Sequence, residues 1–185
     1  MATRLGANDF IDMPWKNGGG VTRELYRLPG VPGSDFGLRV SMARVGQSGP
    51  FSFFPNVDRI LMLVEGAGFK LDLNGQLKTL DTPFVPLAFC GEESVDCTLL
   101  GGECLDFNVM SDRRWGRAEL QVHELAPWQI YHCYGETPRL LYRHARGQSA
   151  EPELWILAAD ELLELTADEQ GATLVDITLY PLHGA

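Results

Sequence analysis

Alternating hydrophobicity over short stretches is the feature that most restricts what this chain can fold into. In residues 36–45, FGLRVSMARV, apolar side chains recur at every second position, which is the period of a half-buried strand. Residues 58–66, DRILMLVEG, are almost continuously apolar, as expected of a strand that is covered on both faces. Between two further alternating stretches stands Asn74-Gly75, the dipeptide that most strongly indicates a hairpin turn. Strands this short and this closely spaced predict a β-sandwich or β-barrel.

The rest of the chain is predicted from the same signals, with one segment open to two interpretations. Residues 95–110, VDCTLLGGECLDFNVM, indicate two strands joined at a pair of glycines, and residues 120–125 and 172–182 also have strand character. Residues 151–165 fit one face of a helix as well as a strand, and the surrounding strands favour sheet there. Because no linker-like or low-complexity stretch divides the sequence, we expect one mainly all-β domain over residues 1–185, with little helix.

The charge balance excludes some classes of partner. With 25 acidic residues against 15 basic ones, the net charge is −10 and the pI is about 4.8, which argues against nucleic acid or an anionic membrane surface. A small anionic molecule is compatible with this charge, because a local basic pocket can form in an acidic protein. The first residues, MATRLGANDF, lack the apolar stretch of a signal peptide, so we expect a cytoplasmic protein. The four cysteines form no CxxC pair and are expected to be reduced.

Three motifs, in order along the chain, resemble those of one known family. They are PWKNGGGVTREL at residues 14–25, SGPFSFFPNVDRILMLVEGAG at residues 48–68 and LLGGECLDFNVMSDRR at residues 99–114. With these motifs the chain is similar to the HutD/Ves family. The resemblance implies a cupin-type fold, with two cupin-like halves (a bicupin arrangement) packed within one compact chain. It also implies a ligand-binding, regulatory role in bacterial histidine utilisation, with formylglutamate and urocanate as candidate ligands.

The sequence lacks the metal ligands of catalytic cupins. Those proteins carry the pattern G-x5-H-x-H-x3/4-E-x6-G, and Gly49 and Gly68 of this chain fit its two glycines. Pro55 and Val57 stand where the histidines belong, and Leu61 stands where the glutamate belongs. None of these side chains offers a lone pair to a metal, so we expect no bound metal and no cofactor. The histidines, which we expect at the surface or in hydrogen bonds, are His123, His132, His144 and His183.

The stretch WKNGGG at residues 15–20 admits two interpretations. In the first, it is a glycine-rich turn whose Trp15 packs on the core and whose Lys16 is solvated. In the second, Gly18 and Gly19 let backbone N–H groups approach an anionic ligand to which Lys16 adds charge. Asn17 would then hydrogen-bond a carboxylate or a formamido N–H. We expect the stretch to form a wall of the binding pocket.

Alternation within LDFNVM, residues 105–110, separates an apolar face from a more polar one. Asp106 and Asn108 share the polar face, which either is solvated or lines a pocket. If they are buried, both side chains need hydrogen-bond partners. The candidate partners are Lys16, Arg39, Ser41 and Arg59.

Arg59 enters an apolar strand, where its side chain has two alternative uses. The guanidinium either binds a ligand carboxylate through two hydrogen bonds or forms a structural pair with Asp106 or Glu24, and the structural pair is favoured. Thr22 and Glu24 share one face of the strand that follows the glycines. The phenylalanines of PFSFFP are expected in the core, with one of them against the ligand pocket; they are Phe51, Phe53 and Phe54.

These observations support three hypotheses for the function. The first, which we adopt, is a metal-free binding protein that senses or sequesters formylglutamate or urocanate and so modulates histidine utilisation. The second is a metal-independent isomerase or hydrolase that uses Glu24 or Asp106 as general base. The third is a regulatory protein that docks a partner, or a second copy as a homodimer, through its sheet. The predicted ligand-binding residues are Lys16, Asn17, Gly18, Gly19, Thr22, Glu24, Arg39, Ser41, Arg59, Asp106 and Asn108.

Overall fold

A computed structural model describes residues 1–144 and 152–182 of the chain, and the structural statements below concern those residues. His183 and the first residue of the 151–165 segment lie outside them. Regular structure in the described part is almost all β-strand, which confirms the predicted fold class, and a 3-10 turn spans Ala7–Asp9. The strands in chain order are β1 (Thr3–Leu5), β2 (Ile11–Pro14), β3 (Gly20–Leu28), β4 (Leu38–Val45), β5 (Gly49–Pro50), β6 (Val57–Glu65), β7 (Phe69–Leu73), β8 (Gln76–Leu80), β9 (Leu87–Cys90), β10 (Val95–Leu99), β11 (Cys104–Asp112), β12 (Gly116–Leu125), β13 (Ile130–Cys133), β14 (Arg139–His144), β15 (Glu153–Leu157), β16 (Leu163–Thr166) and β17 (Ala172–Pro181).

The chain divides into two compact units. The N-terminal unit is Ile11–Gly116, and the C-terminal unit combines Met1–Phe10 with Arg117–Ala185. Each unit has its own sheets and its own hydrophobic core cluster. This antiparallel architecture is the cupin type implied by the resemblance, while the grouping of both units into one domain stays a prediction.

The N-terminal unit combines two antiparallel sheets. Its six-stranded sheet has the order β2-β3-β4-β11-β6-β9, and its four-stranded sheet has the order β5-β10-β7-β8. One core cluster takes side chains from both sheets, including Leu61 and Leu63 of β6 and Phe69 and Leu71 of β7, each 0% exposed. Burying a side chain of this size stabilises a fold by about 1.5–3 kcal/mol. The six-stranded sheet is thereby held firmly against its neighbour.

The C-terminal unit repeats this plan with different sheets. A five-stranded sheet has the order β1-β15-β14-β17-β12, and β13 pairs with β16 in a two-stranded sheet. The core cluster again draws on both sheets, with Leu141 and Leu174 from the larger sheet and Cys133 from the smaller one. No helix among the described residues has the length and the apolar character needed to cross a bilayer.

Most of the predicted strands are confirmed, and one core assignment is wrong. Strands β7 and β8 pair around Asn74-Gly75, where both residues have positive φ, 52° and 88°, as a type I′ turn requires. The described part of residues 151–165 forms β15 and β16, so the sheet interpretation is confirmed. Phe53, expected in the core, is instead 64% exposed. It lies in the irregular segment between β5 and β6, where a strand's alternation no longer determines which side chains point inwards.

Candidate functional site

The N-terminal unit contains a cavity of about 570 Å³, a size typical of small-molecule sites. Polar side chains of β3, β4, β6 and β11 face it, together with Trp15, Phe51 and Phe54. Eight of the predicted ligand-binding residues line the cavity: Lys16, Asn17, Thr22, Arg39, Ser41, Arg59, Asp106 and Asn108. Gly18, Gly19 and Glu24 are not part of its lining. That these residues bind a ligand stays a prediction.

Strand pairing explains why the polar side chains converge. Strand β11 lies between β4 and β6, and residues paired across antiparallel strands point to the same face of the sheet. Asn108 pairs with Ser41 of β4, and Asp106 lies two residues away on the same face of β11. On the other side of β11, Met110 pairs with Arg59 of β6. Three neighbouring strands thus direct their polar residues into one cavity.

Arg59 is a buried cation surrounded by aromatic rings. The residue is 5% exposed, and its guanidinium carbon lies 5.3, 5.6 and 4.9 Å from the ring centroids of Phe51, Phe54 and Phe89. Aromatic faces attract a cation at such distances. Burial lowers the pKa of Arg59 to about 10, against the opposing effect of the Asp106 charge, so the guanidinium stays protonated at neutral pH.

Asp106 is the buried acid of the cavity. It is 3% exposed, and burial raises the pKa of its carboxyl group to about 7. The positive charge of Arg59 and a backbone hydrogen bond from Ala43 oppose this rise without cancelling it. Asp106 therefore changes its protonation state near neutral pH, unlike an ordinary aspartate.

Three buried polar atoms of the cavity residues have no hydrogen-bond partner within the described part of the chain. They are Nε of Arg59, Oδ1 of Asp106 and Oδ1 of Asn108. Arg59 and Asp106 attract one another through their charges, yet no hydrogen bond joins them in the described residues. Buried polar groups in folded proteins normally have partners, so one donor and two acceptors remain for a molecule from outside the chain.

Glu24 is engaged in an ion pair and is not part of the cavity lining. Its Oε2 accepts a hydrogen bond from Nε of Arg39 at 2.8 Å, and Nη1 of Arg27 lies 3.7 Å away. The side chain of Glu24 is 11% exposed. Glu24 thus holds Arg39 at the cavity wall and is poorly placed to act as a general base.

The glycines after Asn17 form a turn, as the first interpretation of WKNGGG predicts. The backbone N–H of Trp15 donates to the carbonyl oxygen of Gly20 at 2.9 Å. The N–H of Gly18 donates to the carbonyl oxygen of Trp15 at 3.0 Å. Gly18 has a φ of 71°, which glycine adopts at no steric cost. The N–H of Gly19 donates to Oδ1 of Asn17 at 3.0 Å, so it is already used within the turn.

The same stretch forms a wall of the cavity through its side chains rather than through its backbone. The indole N–H of Trp15 donates to Oγ1 of Thr22 at 2.8 Å, which fixes the ring against β3. Lys16 and Asn17 line the cavity beside it. Trp15, which the turn interpretation packs on the core, thus lines the cavity as part of the predicted wall. Phe89, whose ring contacts Arg59 from β9, belongs to none of the sequence motifs.

The described residues do not fit a cupin metal centre. Val57 and Leu61, at two of the ligand positions of the cupin pattern, are 5% and 0% exposed and belong to the packed interior. Among the described residues, no group of three or more His, Cys, Asp or Glu side chains could hold a metal ion. His123, His132 and His144 each hydrogen-bond another side chain, as predicted.

Comparison with known proteins gives consistent matches. The model of the HutD family matches residues 7–177. The uncharacterized 21.2 kDa protein in the hutC 3′ region of Pseudomonas putida is 44% identical over 117 residues, or 63% of this chain and 62% of that protein. The match therefore spans less than two thirds of that relative's length.

Two solved structures are similar over nearly the whole chain. A conserved protein of unknown function from Pseudomonas aeruginosa PAO1 is 34% identical, with a TM-score of 0.79 and coverage of 97% of this chain and 98% of that one. HutD from Pseudomonas fluorescens SBW25 is 28% identical, with a TM-score of 0.74 and coverage of 97% and 100%.

Proposed function

Because the chain belongs to the HutD family, we propose that the cavity of its N-terminal unit binds a small carboxylate of histidine breakdown, formylglutamate or urocanate, without a metal. Ligand binding in the cytoplasm would then respond to the concentration of this compound and so modulate histidine utilisation. The matches to a HutD structure and to a protein of the hutC region support the link to histidine utilisation. The ligand and the sensing role are our proposal.

The observation that carries the proposal is that Arg59 is a buried cation whose Nε has no hydrogen-bond acceptor in the described structure. A guanidinium that is 5% exposed loses most of its hydration, which costs several kcal/mol unless a counter-charge with good geometry compensates. Its Nε is buried and has no acceptor among the described residues, and three phenylalanine rings surround the guanidinium. A ligand carboxylate supplies the missing acceptors and can bind a guanidinium through two parallel hydrogen bonds.

The acceptors beside Arg59 indicate that the ligand also carries a donor. Oδ1 of Asp106 and Oδ1 of Asn108 are both buried and unpartnered in the described structure. The formamido N–H of formylglutamate and the ring N–H of urocanate would each satisfy one of them. Lys16 at the wall adds a positive charge that suits a second carboxylate, as formylglutamate has.

Calorimetric titration of metal-stripped protein with formylglutamate, urocanate, histidine and glutamate tests the proposal. We expect saturable binding of formylglutamate or urocanate in the wild type, and at least about 30-fold weaker binding in Arg59→Gln, since a charged hydrogen-bonding group is lost. Arg44→Gln is the matched control, because Arg44 is an exposed arginine of β4 that pairs with Glu103 and does not line the cavity. Absence of binding, or equal affinity in Arg59→Gln, would reject the proposal.

One observation favours a second candidate, a metal-independent enzyme. Asp106 has a pKa of about 7 and lies in a cavity beside a cation, which are the properties of a general base at neutral pH. Incubating the pure protein with each bound compound and following it by NMR separates the two functions. An unchanged ligand supports a binding protein, and a product that Asp106→Asn fails to form supports an enzyme.

A further inference from the structure

The C-terminal unit contains a polar cluster that the proposed function does not use. It centres on Asp176, which is 4% exposed and lies on β17. Its Oδ2 accepts hydrogen bonds from the hydroxyl group of Tyr131 at 2.8 Å and from Nη1 of Arg139 at 2.6 Å. The thiol of Cys133 lies 3.8 Å from the same oxygen, and His123 contacts Tyr131. We call these five residues the Asp176 cluster.

The hydrogen bonds of the cluster have a fixed direction. Burial, reinforced by the hydrogen bond to Asp176, raises the pKa of Tyr131 well above its usual value. The hydroxyl group therefore keeps its proton and donates a hydrogen bond to Asp176. The 3.1 Å contact between the Tyr131 oxygen and Nε2 of His123 therefore needs a proton on Nε2. The chain of donors runs from half-buried His123 through Tyr131 to buried Asp176.

The side chain of Arg139 is partly exposed, unlike that of Asp176. A Cβ on Gly135 would lie 2.5 Å from its Nε, so the glycine leaves the space that the guanidinium occupies. The Nε is buried there with no acceptor in the described structure, whereas the side chain as a whole remains 23% exposed. An anion can therefore reach Arg139 from outside, next to the half-buried rings of Tyr131 and His123.

Asp176 also keeps one acceptor unused. Its Oδ1 is buried and has no hydrogen-bond donor among the described residues, although three groups approach Oδ2. A carboxylate with a bare buried oxygen is costly, because that oxygen has lost its water. A molecule with an N–H or O–H group would remove this cost.

The cluster resembles the charged centre of the N-terminal cavity, except that Arg139 hydrogen-bonds its aspartate. There, Asp106 and Arg59 share one face of neighbouring strands, and Oδ1 and Nε are the unpartnered atoms. In the C-terminal unit, Asp176 pairs with Leu141, two residues from Arg139 and on its face, and the same two atom types are unpartnered.

Each centre also has a buried cysteine beside its aspartate. Burial and the neighbouring carboxylate raise the pKa of Cys97 and of Cys133 to about 12. Since a buried Asp–Arg pair rarely adds stability over apolar packing, its presence in both units needs another reason.

We propose that the Asp176 cluster is a second binding site, for a small carboxylate that also carries an O–H or N–H group. The carboxylate lies against the exposed part of Arg139 and accepts hydrogen bonds from its guanidinium. The O–H or N–H group donates to Asp176. The full chain then binds two such molecules, one in each unit, and this second site does not depend on the identity of the first ligand.

Arginine side-chain NMR on the full chain tests the second site. The probe is glycolate, a carboxylate with one O–H group, and the reporter is the Nε–H signal of Arg139, assigned by its loss in Arg139→Lys. We expect a saturable shift of this signal that persists in Arg59→Lys, where the guanidinium of the first site is gone. Acetate, which lacks the donor, is expected to bind more weakly.

Variants of the cluster decide the outcome. Asp176→Asn is expected to weaken glycolate binding at Arg139 by about tenfold or more, the effect of losing a charged hydrogen-bond partner. Asp160→Asn, at an exposed aspartate of the same unit, is the matched control and should bind as the wild type does. In the absence of glycolate, an unchanged Nε–H signal of Arg143, which is hydrogen-bonded to Asp168 in the same unit, verifies folding.

If Asp176→Asn fails to fold, His123→Ala replaces it, with an expected loss of about fivefold in glycolate affinity, because Tyr131 loses the hydrogen bond that positions it beside Asp176. The proposal is overturned by the absence of a saturable shift in the wild type, by its disappearance in Arg59→Lys, or by wild-type affinity in the cluster variants.

Discussion

Phe89 lies directly opposite Arg59 where β9 pairs with β6, and its ring centroid lies 4.9 Å from the guanidinium carbon. Residues paired in this way point to the same face of a sheet, so the ring and the cation are held side by side by the backbone itself. Phe51 and Phe54 approach the same guanidinium from the segment before β6. The charge that we assign to ligand binding is therefore stabilised by aromatic faces, which leave its hydrogen-bond donors available.

A double-mutant cycle between these two residues measures the attraction. We expect Phe89→Leu and Arg59→Met to be coupled by about 0.5–2 kcal/mol in the free energy of unfolding, because the ring stabilises the buried cation. Urea denaturation of the wild type, both single variants and the double variant gives this coupling. Phe69→Leu combined with Arg59→Met is the control, since Phe69 is buried in the same unit. A coupling for Phe89 no larger than that of the control would contradict the cation–π contact.

Asp106 should make the stability of the protein depend on pH. Its pKa is raised from 3.8 to about 7 in the folded protein, so between these values the folded state binds more protons than the unfolded state. Stability contributed by this group is therefore present at low pH and is lost as the pH rises from about 4 to about 7.

We expect Asp106→Asn to become more stable relative to the wild type as the pH rises from 5 to 8, by about 1–4 kcal/mol. Urea denaturation of both proteins at several pH values checks this. Asp96→Asn, at an exposed aspartate of β10, is the control and should follow the wild type at each pH. Parallel stability curves for the wild type and Asp106→Asn would show that Asp106 titrates normally.

Binding of a carboxylate should be accompanied by proton uptake. The Arg59 charge opposes the rise in the pKa of Asp106, and a ligand carboxylate on Arg59 would compensate that charge. The pKa of Asp106 should then rise further, so that at pH 7.5 the complex takes up part of one proton per ligand. Calorimetry in phosphate and in Tris, whose ionisation enthalpies differ, measures this number. Equal binding enthalpies in the two buffers, or uptake that persists in Asp106→Asn, would contradict the linkage.

The sequence predicted the cavity to the extent that alternation along single strands determines it. The period of two in β4 and β11 placed Arg39 with Ser41, and Asp106 with Asn108, and the structure turns both pairs to one cavity. Such reasoning needs no knowledge of which strands are neighbours, because each strand fixes its own faces.

What the sequence did not predict depends on contacts between distant segments. Phe89 reaches Arg59 only because β9 pairs with β6, and Glu24 is bound to Arg39 and does not contribute to the cavity lining. The Asp176 cluster combines side chains from β12, β13, β14 and β17, and no local pattern relates them. Nor do the glycines of WKNGGG show by themselves whether they leave space for a ligand or for a neighbouring group of the protein.

Gly20 provides a test of that last distinction. A Cβ at this position would lie against the carbonyl oxygen of Arg44, far inside van der Waals contact, and 3.1 Å from the ring of Trp15. We therefore expect Gly20→Ala to destabilise the fold by about 1–3 kcal/mol through overpacking and to displace Trp15 from the cavity wall. Urea denaturation and the quenching of Trp15 by iodide, read against a Trp15→Phe background, measure the two effects. Gly49→Ala is the matched control, because a Cβ there meets nothing within 4 Å and its φ is not positive. If Gly20→Ala were as stable as Gly49→Ala, with Trp15 equally protected, close packing would not explain this glycine, and approach by a ligand would be the better explanation.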